Sequence, residues 1–106
     1  MAKNILEALA LGLNLPENFF EQYTDHHASA MRALNYPVID GATPPVPGQI
    51  RASAHTDYGV ITILRSGGPG LQVSKDRNPP TWCDVPFIED AFIINLGDLM
   101  RRWTND

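Results

Sequence analysis

His55 and Asp57 are the residues of this chain best suited to chemistry, set within Arg51-Ala52-Ser53-Ala54-His55-Thr56-Asp57-Tyr58-Gly59. In an extended backbone, residues two apart project to the same side, so this imidazole and this carboxylate converge on one point. A neutral imidazole nitrogen and a carboxylate oxygen are two of the three ligands in the two-histidine, one-carboxylate triad. That triad binds Fe(II) on one face and leaves the other coordination positions open. His-x-Asp by itself is a short pattern, and a solvated or mutually hydrogen-bonded pair is its ordinary explanation. His26 and His27 are no obvious source of a third ligand, because adjacent side chains diverge in either regular structure; a solvated turn suits them better.

The elements that must position the pair come next in the chain. Val60-Ile61-Thr62-Ile63-Leu64 is a β-branched run, followed by the turn Ser66-Gly67-Gly68-Pro69-Gly70 and by Leu71-Gln72-Val73. Strands are expected at Ser53 to His55, Val60 to Arg65, Leu71 to Val73, Thr81 to Val85 and Ala91 to Leu96, with Ser66 to Gly70 as a hairpin connection. Short strands at such intervals, separated by Gly, Pro, Asp and Asn, belong to a sandwich or barrel. The unbroken apolar run Phe92-Ile93-Ile94 reads as a strand covered on both faces. Asp98 stands where a helix begins, and its carboxylate is expected to cap that helix. Arg101 and Arg102 suit the helix's C-terminal end.

The pieces Ala54-His55-Thr56-Asp57-Tyr58-Gly59, Gly70-Leu71-Gln72-Val73, Ile94-Asn95-Leu96-Gly97-Asp98 and Trp103-Thr104-Asn105 resemble, in order and spacing, the isopenicillin N synthase-like family of Fe(II)/2-oxoglutarate dioxygenases. The resemblance implies a mainly β (α+β) fold, an incomplete double-stranded β-helix (jelly roll) with N-terminal helices. It implies one partial domain over 1–106: a helical brace at 1–30, jelly-roll strands at 31–96, and the start of a helix at 97–106. It further implies His55 and Asp57 as metal ligands, Fe(II) as the metal and 2-oxoglutarate as cosubstrate, with O2 and a small molecule as the other reactants. In the family, 2-oxoglutarate is decarboxylated to succinate as the substrate is hydroxylated or desaturated. Leu34-Asn35-Tyr36-Pro37 resembles the family strand whose Asn and Tyr contact 2-oxoglutarate, although many relatives have two aromatics before the Pro and this chain has only Tyr36. The family's second metal His, and the Arg and Ser that hold the cosubstrate's far carboxylate, follow the Thr-Asn motif, whereas this chain stops at Asp106. The resemblance therefore implies the middle of a longer enzyme. Two other readings remain: a family oxidase that does not use 2-oxoglutarate, and a non-catalytic truncated interaction fragment.

A ligating His needs a hydrogen-bond partner on its other nitrogen, and Thr56, Tyr58 and Asn95 are the polar candidates. Nearer the N-terminus, Ile5, Leu6, Leu9 and Leu13 recur at helical spacing, which predicts a helix over Ala2 to Leu11 stopped by Gly12. A second short helix is expected from Pro16 to about Tyr23, and a strand over Met31 to Tyr36. Gly41 to Gly48, with Pro44, Pro45 and Pro47, must be a surface loop because three amide donors are missing.

The 106 residues, 43% hydrophobic with nine Pro and eight Gly, fit one small, turn-rich domain. A formal charge of −4 with interspersed signs offers no basic field to a nucleic acid or an anionic membrane. The single cysteine, Cys83, excludes an intrachain disulfide and fits a reducing compartment, so the expected location is cytoplasmic. The run after Lys3 is interrupted by Glu7 and lacks a clean cleavage signature. A partial barrel leaves open strand edges, from which self-association is expected.

Overall fold

The structure is a computed structural model that describes residues 1–37 and 46–105. The chain forms two compact units, Met1–His55 and Thr56–Asp106. No helix among the described residues is long and apolar enough to cross a membrane.

The first unit opens with α1 (Ala2–Gly12), whose Leu6 and Ala10 are buried one turn apart on the same face. The helix ends at Gly12, and a Schellman motif closes it. Leu15 N–H donates to Ala10 O at 2.9 Å and Asn14 N–H to Leu11 O at 3.0 Å. Asn14 adopts the left-handed conformation this closure requires, with φ 57°, a conformation Asn tolerates better than most residues.

The expected second helix is a run of tight turns ending in a 3-10 helix, Glu21–Tyr23. Its bonds span three residues, as in Phe19 N–H to Pro16 O at 2.8 Å and Tyr23 N–H to Phe20 O at 3.1 Å. The Thr24 hydroxyl donates to Phe20 O at 3.0 Å, taking the carbonyl that the Thr24 amide would bond in an α-helix. Phe20 is buried, with the Phe19 ring edge-on to it at 5.1 Å. Lys3 Nζ lies 2.7 Å from Glu21 Oε1 and 3.9 Å from Glu7 Oε1, linking α1 to the 3-10 helix.

Residues 31–37 have no regular structure, in place of the expected strand. Met31 is 97% exposed, and among the described residues no strand pairs with this segment. Of the Pro-rich loop, residues 41–45 lie outside the described residues. Val46 to Gln49 form a turn with Gln49 N–H donating to Val46 O at 2.8 Å. Pro47 and then Gly48 at φ 81° are what a type II turn demands at its two central positions.

The second unit contains β1 (Ile61–Leu64), β2 (Gln72–Ser74), β3 (Trp82–Asp84), β4 (Ile93–Leu96) and α2 (Asp98–Trp103). β1 pairs antiparallel with β4, opposing Thr62 to Asn95 and Ile63 to Ile94. β2 pairs antiparallel with β3, opposing Val73 to Cys83. The Ser66 to Gly70 turn is therefore not a hairpin: it carries the chain from one two-stranded sheet to the other. The hairpin is β2–β3, enclosed in sequence by the β1–β4 pair. This nesting is consistent with part of a jelly roll; a complete double-stranded β-helix is not formed by the described residues.

Within the β2–β3 connection, Ser74 Oγ donates to Asp76 O at 2.8 Å and accepts from Thr81 N–H at 2.9 Å. The Asn78–Pro79 peptide is cis. β4 departs from the expectation of a strand covered on both faces, since Phe92, Ile94 and Leu96 are 47%, 46% and 53% exposed. A continuous apolar run predicts cover only where a second layer is present to supply it. Met100 on α2 is buried.

Candidate metal centre

The Asp57 carboxylate is held by the β1–β4 sheet. Thr62 and Asn95 are directly opposed across the two strands, so their side chains rise together on one face. Both reach the same acceptor: Thr62 Oγ1 donates to Asp57 Oδ2 at 2.5 Å and Asn95 Nδ2 donates to it at 2.8 Å.

The backbone of Asp57 is fixed just as closely. Asp98 N–H donates to Asp57 O at 2.7 Å, Gly97 N–H to Val60 O at 3.0 Å and Leu99 N–H to Gly59 O at 3.2 Å. The loop before β1 thus lies against the start of α2. It approaches so closely that a Cβ on Gly97 would stand 2.0 Å from Gly59 O. The exposed amides at a helix start are donors without intrahelical partners, and here the 57–60 loop supplies acceptors for them.

Asp98 does not cap α2 as expected. Gly97 is the N-cap residue, with no side-chain cap hydrogen bond, and Asp98 Oδ2 instead accepts from Thr56 Oγ1 at 2.9 Å. Arg101 and Arg102 occupy the last turn of α2, where their charge complements the helix dipole.

His55 belongs to the first unit, and its Nδ1 lies 2.7 Å from Ser53 O. A backbone carbonyl can only accept, so Nδ1 carries the proton and the Nε2 lone pair is the one suited to a metal. Ser53 to Asp57 form no strand; the local bond to Ser53 O, rather than strand alternation, sets this ring. His26 bonds to its neighbour, Nδ1 to Asp25 Oδ2 at 2.9 Å, and His27 Nδ1 accepts from Ser29 N–H at 3.4 Å; both are exposed.

Asn35 and Tyr36 are exposed in the segment without regular structure. Of the polar candidates for supporting roles, Asn95 donates to the Asp57 carboxylate, Thr56 donates to Asp98, and Tyr58 is 87% exposed. Sequence reasoning missed Thr62 and the Ser53 carbonyl. Thr62 was findable as the one polar residue within the apolar β1, but its partnership needs the register with Asn95.

The donor set suits a ferrous ion. Both candidate ligands carry the outer hydrogen bonds that orient metal-binding His and carboxylate side chains, and the donors are nitrogen and oxygen. Among the described residues, no group of three or more His, Cys, Asp or Glu side chains converges as a metal site.

The family described as the 2OG-Fe(II) oxygenase superfamily matches residues 28–106. The chain is 36% identical over 107 residues to the 2-oxoglutarate-dependent dioxygenase caaD of Aspergillus niger, covering 99% of this chain and 32% of that protein. It is 36% identical over 107 residues to validamycin A dioxygenase of Streptomyces hygroscopicus subsp. limoneus, covering 99% of this chain and 29% of that one. Among solved structures, a C-terminally truncated protein of Neurospora crassa, crystallised in apo form, is similar with a TM-score of 0.65 and 28% identity, covering 99% of this chain and 36% of that one. The chain thus spans about a third of the length of the curated relatives it matches.

Proposed function

The chain belongs to the 2OG-Fe(II) oxygenase superfamily, and from that premise we propose that it is the part of such an oxygenase that supplies His55 and Asp57 to the iron. The observation that carries this reading is the double donation by Thr62 and Asn95 to one oxygen of Asp57, two residues from an imidazole whose Nδ1 lies against Ser53 O. Among the described residues no third His, Cys, Asp or Glu joins them. When bound, the iron and 2-oxoglutarate together supply an O2-dependent oxidation of a small molecule, a hydroxylation or desaturation, with 2-oxoglutarate converted to succinate.

This chain's own residues have narrower tasks. Nε2 of His55 and the carboxylate of Asp57 bind the metal. Thr62, Asn95 and the amide of Asp98 hold Asp57 in place. Asn35 and Tyr36 contact the cosubstrate. The parent protein is cytoplasmic. The exposed Ile94 and Leu96 on a two-stranded sheet support self-association through open edges, for which a compact monomer at high concentration in sedimentation velocity is the contrary result.

The test is an anaerobic Fe(II) titration of the full chain, with and without 2-oxoglutarate, followed by calorimetry and by the visible charge-transfer band of the chelate. Fe(II) binding is expected to weaken by roughly tenfold or more in His55→Ala and in Asp57→Ala, no less than loss of an outer partner typically costs. Unchanged Fe(II) affinity in both variants would refute the assignment.

A further inference from the structure

We propose that Arg77, Arg101 and Arg102 form a binding site for a small molecule carrying carboxylate or phosphate groups, built without the candidate metal ligands and able to fill while no metal is bound.

The second unit holds a concavity of about 380 Å³ lined by Thr56, Arg77, Asp98, Arg101 and Arg102. Sites for small organic molecules have volumes of about 300–1,000 Å³. Arg77 comes from the β2–β3 connection and the other two arginines from the last turn of α2, so two stretches remote in sequence bring like charges to one place. That gathering runs against the balance of a chain whose formal charge is −4. Like charges around a hollow repel one another, and the hollow concentrates their field on an anion that enters it.

The groups already present do not neutralise this field. Asp98 is the one carboxylate on the lining, and its Oδ2 accepts from the Thr56 hydroxyl at 2.9 Å. Among the described residues, no carboxylate forms an ion pair with Arg77 or Arg102. Arg65, by contrast, is paired with Asp90. Complementing the dipole of α2 accounts for Arg101 and Arg102 but not for Arg77, which belongs to no helix. A guanidinium suits the task because its planar fork meets two oxygens of a carboxylate or phosphate at once. The arginines border a single hollow and form no stripe along a face, which favours a small anion over an extended backbone of phosphates.

The test uses the full, metal-free chain with inorganic phosphate and, in a separate series, tricarballylate as probes. Calorimetry gives the affinity, and NMR shifts of the arginine Nε–H groups give the location. Saturable binding of either probe in the millimolar range or tighter is expected, with shifts centred on Arg77 and Arg102 and an affinity that falls as sodium chloride is added. Arg77→Gln and Arg102→Gln should each weaken binding about tenfold, the worth of a hydrogen bond to a charged group. Arg77→Lys, which keeps the charge without the fork, should lie in between. Arg65→Gln, outside the concavity, should leave the affinity unchanged. Tighter binding of tricarballylate supports the proposal and assigns the ligand to the carboxylates; tighter binding of phosphate supports it and assigns the ligand to the phosphates.

Saturation by neither probe, shifts confined to other arginines, or an affinity unchanged in both Arg77→Gln and Arg102→Gln would overturn the proposal. Binding of heparin alone would overturn it too, since that requires an extended polyanion. No metal is present in any arm, so none of these results bears on Fe(II) binding by His55 and Asp57.

Discussion

Replacing Gly97 with alanine separates two reasons a glycine can be required. Gly97 has φ −98° and ψ 179°, extended backbone that any L residue adopts, so conformational freedom is not the issue. Space is. An added Cβ would lie 2.0 Å from Gly59 O, 2.7 Å from Gly59 C and 3.0 Å from Asp57 O, where even a close carbon–oxygen contact needs about 3.3 Å. All three obstacles are backbone atoms, which no rotamer change can move aside. The 57–60 loop must therefore separate from the start of α2, at the expense of the bonds at 2.7, 3.0 and 3.2 Å that join them. At about 1 kcal/mol net for each bond, Gly97→Ala should destabilise the second unit by about 3 kcal/mol, at the upper end of ordinary overpacking costs of about 1–3 kcal/mol. Urea denaturation should show a lower midpoint at unchanged slope, and hydrogen exchange should show faster exchange at the Asp98 amide. The movement also carries Asp57 away from Thr62 and Asn95, so metal affinity should fall in parallel. A midpoint and an Asp98 exchange rate both equal to those of the unaltered chain would refute the steric argument.

Two further outcomes concern the first unit. Asn14 sits at φ 57°, so Asn14→Ala should cost about 1 kcal/mol or more while Asn14→Gly should be neutral or stabilising; thermal melts of both variants check the ordering, and equal melts would remove the Schellman closure as a contributor. The side-chain hydrogen bond to Glu21, and then the charges of Glu21 and Glu7, raise the Lys3 pKa above the ordinary lysine value. A raised folded-state pKa contributes stability that is full below the unfolded value and lost as pH rises through the folded one, so this pair fades only on the alkaline side. Glu21→Gln should lower the Lys3 titration midpoint followed by NMR, with little change in neutral-pH stability because the pair is exposed and screened; an unmoved midpoint would refute the pairing.

Much of the fold was legible where the signal is local. The β-branched run at 60–64 and the apolar run at 92–96 became β1 and β4, shortened at their ends, and the spacing of Ile5, Leu6 and Leu9 became α1. The errors share a different origin. The Gly-rich turn at 66–70 has the composition of a hairpin, but strand pairing is decided by which partner buries and bonds best, and β1 paired with β4 instead. Pro16 to Tyr23 has helical composition, yet a threonine hydroxyl competing for a carbonyl left it as tighter turns. Asp98 occupies a capping neighbourhood, but Thr56, 42 residues away in sequence, takes its carboxylate.

The sequence by itself determined the chemical identity of the candidate centre: an imidazole and a carboxylate two residues apart, followed by the ordered motifs that mark the family. It determined this because residue type and short spacing are carried by the covalent chain. Only the tertiary structure decided how the carboxylate is held. Asp57 and Asn95 are 38 residues apart, and no local pattern encodes that Thr62 and Asn95 face each other in register. A one-residue slip of β4 would turn Asn95 to the other face of the sheet. Register is a long-range property, set by strand pairing and by the close approach of Gly59 to Gly97, and it selects the oxygen of Asp57 that the sheet takes for itself.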